Sequence, residues 1–472
     1  MKEHTTNRRN GGCAEVYDMI IENGTIITSN ARFKADLGIK NGIISDISTS
    51  LKDAPSLSRL ESKNYYVLPG AVDVHAHLER EMCDTISADS YETGTRAAAC
   101  GGTTTVFDFI FQNDTENIIE TLNKHNERCK KQASVDYSFN VVFDRITDDL
   151  EDDLEALMRY GINHIKLSHS MSQGNIEANA QLLFYAVKDR GFRISVHEEN
   201  KAIINNLSQK YLEQKKCDAW YYYLSRPEYV EAEADMRLIH WAKHFGGSLY
   251  LEHLACRESV DRLTDARIEG YDVIGETCPQ YLCFTNEVYK KPDGYKYVCA
   301  PPMKGEDSRE ALWRGINNES ISIVASDHCP FQLAEKRKGI DDFSKIPNGC
   351  MAIENRYPYL LSEANKGRIS FEKAVAVCST NPARIFGCAP QKGTIAPGSD
   401  ADLVIYDPQI EFTISAKNMH SNLDYTIWEG IRLKGYPIIT ISRGKIVYDY
   451  GRYTGSSGWG KYIKRQPAER TV

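Results

Sequence analysis

Short apolar segments alternate with longer helix-like segments about eight times between residues 66 and 386. The apolar segments have the length and composition of buried strands and are VLPGAVDVHAH, TTTVFDF, YSFNVVF, HIKL, RISVH, LYLEH, DVIGE and ISIVASD. Regular alternation of strand and helix is typical of parallel β/α units. No GxGxxG phosphate-binding turn follows any of these segments. Eight units without that turn predict a closed (β/α)8 barrel over residues 66–386 rather than an open sheet.

The two ends of the chain have a different pattern, in which short β-branched runs are separated by Gly and Pro. Residues 13–65 contain Asn-Gly dipeptides, which accept the positive φ of a tight hairpin. Residues 387–455 have the same texture. Because neither segment is large enough to form a core alone, we expect them to pair into one β-sandwich. The Gly-rich, basic segment 456–472 then forms a C-terminal tail.

The composition excludes several classes of protein. The 472 residues include 57 Lys+Arg and 65 Asp+Glu, so the formal net charge of −8 argues against a nucleic-acid-binding protein. The 13 Cys are scattered without a CxxC motif, which favours reduced thiols. No run approaches the roughly 18 apolar residues of a membrane span, and no apolar signal segment follows the N-terminus. We expect a soluble cytoplasmic protein that binds neither nucleic acid nor membrane.

Residues of the types that bind metals stand at the carboxyl ends of several predicted strands. They are His75 and His77 on the first strand, Lys166 on the fourth, His197 on the fifth, His253 on the sixth and Asp327 on the eighth. In a parallel barrel these ends converge on one mouth, where catalysis takes place. An HxH pair alone is common and can simply bond to backbone, but the further strand-end residues favour a metal centre.

The charges of these residues indicate that a metal centre built from them needs a further anionic ligand. Four neutral imidazoles and one carboxylate are too many ligands for one tetrahedral zinc and too little negative charge for two ions. Beside divalent cations, the Lys166 ammonium would be driven to lose its proton. The neutral amine can add carbon dioxide, and the carbamate then offers one oxygen to each metal. A solvated charge and a clamp for a substrate carboxylate are the alternatives for a lone strand-end lysine.

Several motifs occur in order from about residue 19 to residue 460. They are LPGAVDVHAH, GTRAAACGGTTTVFDF, LSRP followed by EAEA, GETCPQYL, ASDHCPF, KIPNG and GSDADLVIYDP. Together they resemble the cyclic amidohydrolases, specifically the dihydropyrimidinase and hydantoinase branch. The resemblance implies a (β/α)8 barrel with a composite β-sandwich and two divalent metal ions, zinc first, with manganese or iron as alternatives. It also implies ring-opening hydrolysis of a small cyclic amide or ureide, and a homotetramer in which the tail packs on a neighbouring subunit.

The resemblance implies roles for the strand-end residues. One metal would be held by His75, His77 and Asp327, the other by His197 and His253, and both by carboxylated Lys166. Two ions that share a water molecule lower its pKa and would supply a bridging hydroxide. Asp327 would take the proton of that hydroxide and deliver it to the leaving ring nitrogen. Substrate would contact the backbone at Ala300, where the family usually has serine, and at Asn348.

The chain departs from the family pattern at Met171. Hydantoinases and dihydropyrimidinases have a tyrosine five residues after the carboxylated lysine, and its hydroxyl stabilises the oxyanion, which methionine cannot do. Loss of one such donor typically costs about 10²- to 10³-fold in rate. His169 is our first candidate for a replacement donor, and packing in a loop is the alternative for this residue. We therefore expect slow turnover of dihydrouracil and hydantoin.

Two other functions stay open at this point. Allantoinases and dihydroorotases also lack that tyrosine, so a ring hydrolase similar to these enzymes is one alternative. A non-catalytic scaffold related to dihydropyrimidinases is the other alternative. All six proposed metal-ligand positions carry a residue that can bind a metal, which argues against a scaffold.

Overall fold

A computed structural model describes residues 16–468 except 83, 113–115, 144–145, 147–148, 168–175 and 198. His169 and Met171 therefore lie outside the described residues. In chain order the strands are β1 (Met19–Ile27), β2 (Arg32–Lys40), β3 (Ile43–Ser48), β4 (Arg59–Glu61), β5 (Tyr66–Pro69), β6 (Ala71–Ala76), β7 (Glu81–Met82), β8 (Thr85–Ile86), β9 (Thr103–Phe111), β10 (Asp136–Phe143), β11 (His164–Leu167), β12 (Arg193–Val196), β13 (Ser248–Leu251), β14 (Val273–Thr277), β15 (Ile321–Val324), β16 (Leu403–Thr413), β17 (Arg432–Ser442), β18 (Lys445–Asp449) and β19 (Arg452–Tyr453).

The helices lie mainly between the barrel strands. They are α1 (Tyr91–Cys100), α2 (Ile118–Gln132), α3 (Leu150–Tyr160), α4 (Ile176–Val187), α5 (Lys201–Glu213), α6 (Ala219–Leu224), α7 (Glu228–Phe245), α8 (Arg257–Ile268), α9 (Pro279–Cys283), α10 (Glu306–Asn317), α11 (Leu333–Arg337), α12 (Arg356–Asn365), α13 (Phe371–Val375) and α14 (Asn381–Ile385). Within the described part of the chain, no helix combines the length and apolar character needed to cross a membrane.

Eight strands form the parallel sheet of the barrel, in the order β6-β9-β10-β11-β12-β13-β14-β15. At least one helix separates each strand from the next along the chain. The strands are buried along nearly their whole length, as expected for a parallel sheet covered on both faces. The predicted (β/α)8 barrel is confirmed.

The barrel closes where β15 meets β6. Asp73 on β6 accepts a hydrogen bond from the backbone N–H of Ser326 at 3.0 Å, and the Ser326 hydroxyl donates to the His75 carbonyl at 3.0 Å. The buried Asp73 carboxylate is balanced by Arg356, whose Nε lies 3.6 Å from it. This contact, which we call the seam, places the ends of the first and last barrel strands side by side.

Strands from both ends of the chain form a second sheet, in the order β19-β18-β17-β16-β5-β1-β2-β3, with β4 beside β1. Side chains from its two halves share one core cluster, which includes Ile21, Leu37, Ile405 and Ile441. The composite β-sandwich of the prediction is confirmed. The boundary at residue 66 differs, because β5 pairs with β1 and β16 rather than with the barrel. Gly70 separates two apolar strands that the sequence analysis read as one.

The described part of the C-terminal tail packs against the amino-terminal end of the barrel in its own chain. Arg465 is buried there and donates a hydrogen bond to Asn140 at 2.9 Å, with its guanidinium 4.9 Å from the ring centroid of Phe107. Ile463 belongs to the same apolar cluster as side chains of the barrel interior. The tail is therefore part of the barrel core, and its predicted place between subunits stays a prediction.

A buried cluster of charges joins the barrel to the second sheet. The ammonium of Lys392 contacts Asp136 at the start of β10 and lies 2.9 Å from Asp400 and 2.7 Å from Asp402. Burial lowers the pKa of Lys392, but attraction by the three carboxylates outweighs burial and raises this pKa above its ordinary value. The lysine therefore stays charged and ties the two parts together.

We predict that Lys392→Met strongly destabilises the protein. The substitution removes the cation that three neighbouring buried carboxylates share, although Arg443 still pairs with Asp136. Breaking a buried ion pair typically costs about 3–5 kcal/mol. Urea unfolding followed by circular dichroism measures the effect. The control is Lys124→Met, because Lys124 pairs with Glu116 on the surface with 65% of its side chain exposed, and it should change the unfolding midpoint little. Equal midpoints for the two variants would contradict the structural role of Lys392.

Candidate metal centre and its cavity

The carboxyl ends of the barrel strands bring the predicted ligands together. The ring centroids of His75 and His77 are 5.2 Å apart, and those of His75 and His253 are 5.6 Å apart. The rings of His253 and His197 are 4.8 Å apart. The four imidazoles, drawn from three strand ends, thus form one continuous group at the mouth of the barrel.

His75, His77 and Asp327 direct ligand atoms toward one another. The Nε2 atoms of His75 and His77 lie 3.3 Å and 3.4 Å from Oδ1 of Asp327. The Nε2 atom of His75 is buried and makes no hydrogen bond among the described residues. Buried polar atoms are normally satisfied, so a nitrogen of this kind facing a carboxylate fits a cation between them.

The pKa values of these imidazoles are shifted in different directions. Burial lowers the pKa of His77 to about 4 and lowers that of His253 well below its ordinary value, so both are neutral. Burial also lowers the pKa of His75, but Glu276, Asp327 and Glu252 outweigh it and raise this pKa to about 9. A divalent ion at His75 would therefore compete with a proton, as is usual for metal ligands.

A cavity of about 360 Å³ lies over these residues. Its wall includes the predicted ligands His77, Lys166, His197, His253 and Asp327 together with the predicted substrate-contact residues Ala300 and Asn348. The side-chain oxygen of Asn348 is buried without a hydrogen-bond partner among the described residues, so it is available to a ligand. Cys329 also lines the cavity, and burial raises the pKa of its thiol, which is therefore protonated and a poor nucleophile.

Comparison with known proteins identifies the family. The sequence model of the amidohydrolase family matches residues 66–447. The chain belongs to the amidohydrolase family. A D-hydantoinase from Ralstonia pickettii is 38% identical over 455 residues, which cover 95% of this chain and 99% of that protein. A D-hydantoinase from Geobacillus stearothermophilus is 37% identical over 454 residues, with 94% and 96% coverage. The crystal structure of dihydropyrimidinase from Brevibacillus agri NCHU1002 matches with a TM-score of 0.92 at 35% identity and covers 96% of this chain and 99% of that one.

Within the amidohydrolase family, the chain belongs to the hydantoinase and dihydropyrimidinase group. The family implies a binuclear divalent metal centre, and the donor set of the mouth fits one. Both ring nitrogens of His253 are buried without hydrogen bonds among the described residues, so one of them is available to a metal ion. The backbone φ of +38° at His253 and +48° at Asp327 departs from strand geometry at these two positions.

A buried carboxylate that was not predicted from the sequence lies beside Lys166. The ammonium of Lys166 forms an ion pair with Glu252, whose Oε1 also accepts a hydrogen bond from the Ser195 hydroxyl at 2.5 Å. Burial raises the pKa of Glu252, but Lys166 and the nearby histidines outweigh it and lower this pKa. Glu252 follows Tyr250 by two residues, and the side chain of Tyr250 packs in the barrel interior. Because side chains two apart on a strand share a face, the alternation along LYLEH could have indicated that Glu252 also faces the interior.

Glu276 on β14 orients His75. Its Oε1 lies 2.8 Å from Nδ1 of His75 and accepts the backbone N–H of His253 at 3.0 Å. Its other oxygen accepts the hydroxyl of Tyr250. A hydrogen bond donated by Nδ1 to a carboxylate leaves the Nε2 lone pair of His75 toward Asp327 and increases the basicity of the ring. Glu276 lies in the motif GETCPQYL, but no role was predicted for it from the sequence.

Lys336 joins the two backbone segments that the sequence analysis assigned to substrate contact. Its buried ammonium donates to the carbonyl oxygens of Val298 at 2.6 Å, Pro347 at 2.7 Å and Gly349 at 2.7 Å. A Cβ at Gly349 would overlap the carbonyl oxygen of Cys329, which explains glycine in the IPNG motif. A single lysine on the short helix α11 has no sequence pattern that would mark it.

We predict that Glu276→Gln weakens metal binding. The substitution keeps the size of the side chain but removes the charge that orients His75, and loss of such a partner typically lowers metal affinity by about 10- to 100-fold. Competition with a zinc chelator measures the affinity. Glu258→Gln, at an exposed position of α8, is the matched control and should bind zinc like the unchanged protein. Unchanged affinity in Glu276→Gln would refute the orienting role.

Proposed function

We propose that this protein hydrolyses a C–N bond in the ring of a small cyclic amide or ureide at a binuclear divalent metal centre. The observation that carries the proposal is the convergence of His75, His77, His197, His253, Lys166 and Asp327 at the mouth of the barrel, in a chain of the hydantoinase group. The proposed ligands of one metal are His75, His77 and Asp327, those of the other are His197 and His253, and carboxylated Lys166 bridges the two.

Two bound divalent ions would lower the pKa of a shared water molecule and polarise the ring carbonyl, with zinc our first candidate and manganese or iron the alternatives. A side chain of the protein, Asp327, can transfer the proton. Burial raises the pKa of Asp327, but the surrounding histidines outweigh it and lower this pKa, so the group begins the cycle as a carboxylate. Asp327 can then accept a proton from the attacking water and deliver it to the ring nitrogen as the C–N bond breaks.

The other wall of the cavity orients the ring. The unpartnered oxygen of Asn348 can accept a hydrogen bond from a ring N–H, and the backbone at Ala300 lies in the same wall. Lys336 holds both segments through their carbonyl groups, so the distance between them is set before the substrate binds. Such pre-organisation lowers the cost of placing the ring carbonyl against the metal centre.

The ion pair between Lys166 and Glu252 opposes carboxylation of Lys166. An ammonium that adds carbon dioxide must release two protons to become a carbamate anion. The buried carboxylate of Glu252 stabilises the ammonium and opposes this change, whereas divalent cations repel the ammonium and attract the carbamate. We therefore propose that the carbamate forms only when metal is bound.

The prediction for Lys166 is a metal-dependent carbamate. Protein equilibrated with ¹³C-bicarbonate should show a carbamate resonance in the ¹³C NMR spectrum when loaded with zinc, and none after chelation. Glu252→Gln removes the competing ion pair and should lower the zinc concentration at which the resonance appears. Lys166→Met is the control without a signal. A zinc-loaded protein without the resonance would refute the bridging carbamate.

The prediction for activity is hydrolysis of at least one ring in a panel of five- and six-membered cyclic ureides and imides, assayed with zinc, manganese and iron. Asp327→Asn should lower kcat by about 10²- to 10⁴-fold, since it removes the proton acceptor. Asp341→Asn, at an exposed position, is the control. Metal content measured in the same samples separates loss of chemistry from loss of metal.

The same panel decides between the proposed function and its alternatives. Allantoin and dihydroorotate test the two related ring hydrolases, and rapid turnover of dihydrouracil would refute the expectation from Met171. Full metal content without turnover of any compound would favour the non-catalytic scaffold. Light scattering of the purified protein tests the homotetramer, which the family resemblance implies.

A further inference from the structure

A second group of potential metal ligands lies at the end of the first barrel helix. Cys100 is the last residue of α1, Glu354 precedes α12, and His420 lies in the connection between β16 and β17. The described wall of the cavity at the barrel mouth contains none of the three. One ligand atom of each residue lies within 4.8 Å of the other two. Sulfur, carboxylate oxygen and imidazole nitrogen are the donors that zinc prefers in proteins.

Close packing of the end of α1 brings Cys100 to its two partners. A Cβ at Gly101 would lie 2.3 Å from the carbonyl oxygen of Glu354, so glycine allows the helix end to pack directly against this segment. Arg96, one turn earlier, donates from Nε and Nη2 to the carbonyl oxygen of His420, at 3.1 Å and 2.9 Å. The helix thus positions both partners of its last residue.

The imidazole of His420 is held in one orientation. Its Nδ1 lies 2.7 Å from Oε1 of Glu354, whose Oε2 accepts the backbone N–H of His420 at 2.8 Å. The ring also hydrogen-bonds to the backbone of Gly451 and packs edge-on against Tyr448, with ring centroids 5.9 Å apart. Hydrogen bonds to carboxylate and backbone groups orient metal-binding histidines in the same way.

The charges of this buried group favour a cation. Burial raises the pKa of the Cys100 thiol, Glu354 raises it further, and Arg96 offsets only part of this rise. Burial also raises the pKa of Glu354 by more than the hydrogen bond to His420 lowers it. A divalent cation would stabilise the thiolate and the carboxylate together, because a metal ion deprotonates a thiol that binds it.

We propose that Cys100, Glu354 and His420 bind a zinc ion, separate from the metal centre at the barrel mouth. Zinc displaces two protons, one from the Cys100 thiol and one held between Nδ1 of His420 and Oε1 of Glu354. The charges of the ion, the thiolate and the carboxylate then sum to zero beside a neutral imidazole. The side chain of His420 is 22% exposed, so a water molecule can enter as the fourth ligand.

The ion would tie two distant segments of the chain together. Cys100 ends a helix of the barrel, whereas His420 belongs to the segment that connects two strands of the second sheet. A metal that closes a long loop restricts the unfolded chain and so stabilises the folded one. The role of this site is therefore structural, and it does not depend on the proposed reaction.

Cobalt spectroscopy tests the site directly. Cobalt(II) bound by a thiolate absorbs strongly in the near ultraviolet through sulfur-to-metal charge transfer, and imidazole and carboxylate ligands do not give this band. Metal-free protein titrated with cobalt should develop the band, and added zinc should remove it. The band should be absent from Cys100→Ser, and zinc content should fall by one ion per chain. Saturation of the unchanged protein with cobalt without the band would overturn the proposal.

Control variants assign the band to its thiol. Cys329→Ser removes a thiol in the cavity wall and Cys217→Ser a partly exposed one, and both should keep the band. Lys166→Met should keep it as well, which separates this site from the metal centre of the barrel mouth. A band that persists in Cys100→Ser would overturn the proposal.

Thermal unfolding tests the structural role. Zinc should raise the unfolding midpoint of the unchanged protein more than that of Cys100→Ser, because the variant cannot join α1 to the β16–β17 connection. If Cys100→Ser does not fold, His420→Gln replaces it in each comparison, since the side chain of His420 is partly exposed. Equal zinc-induced shifts in the unchanged protein and the variant would overturn the structural role.

Discussion

The seam between β6 and β15 is the contact on which the candidate site depends. Asp73 and Ser326 bond the first barrel strand to the last, and this contact places His75 and His77 beside Asp327. The ligands of one proposed metal therefore come from opposite ends of the barrel segment. Any change that opens the seam would separate them without altering a ligand, so the stability of barrel closure and the affinity for metal are coupled.

Charged groups of both signs lie in the mouth of the barrel. The carboxylates of Glu276 and Asp327 lie beside His75, and the carboxylate of Glu252 pairs with Lys166. The cations Arg80 and Lys201 lie in the wall of the cavity that receives the ring. Buried charges are tolerated only with compensation, so the carboxylates beside His75 favour a bound cation.

Sequence reasoning predicted the features that depend on local pattern. The eight β/α units, the sandwich built from both ends and the ligand-type residues at strand ends all follow from hydrophobic periodicity and from the geometry of parallel strands. It missed Glu252, Glu276 and Lys336, because the role of a buried charged residue depends on partners that are distant in the chain. It also placed β5 in the barrel, since two apolar strands joined through Gly70 have no separate pattern.

The two ends of this chain complete the structure together. Strand β5 lies between β1 and β16 in one sheet, and Arg465 fills the amino-terminal end of the barrel. During synthesis on a ribosome, the edge of β5 therefore waits tens of seconds for its partner strand to be made. An unpaired edge can recruit other strands and aggregate. The chain is accordingly most exposed to aggregation in the interval before its C-terminal strands have been made.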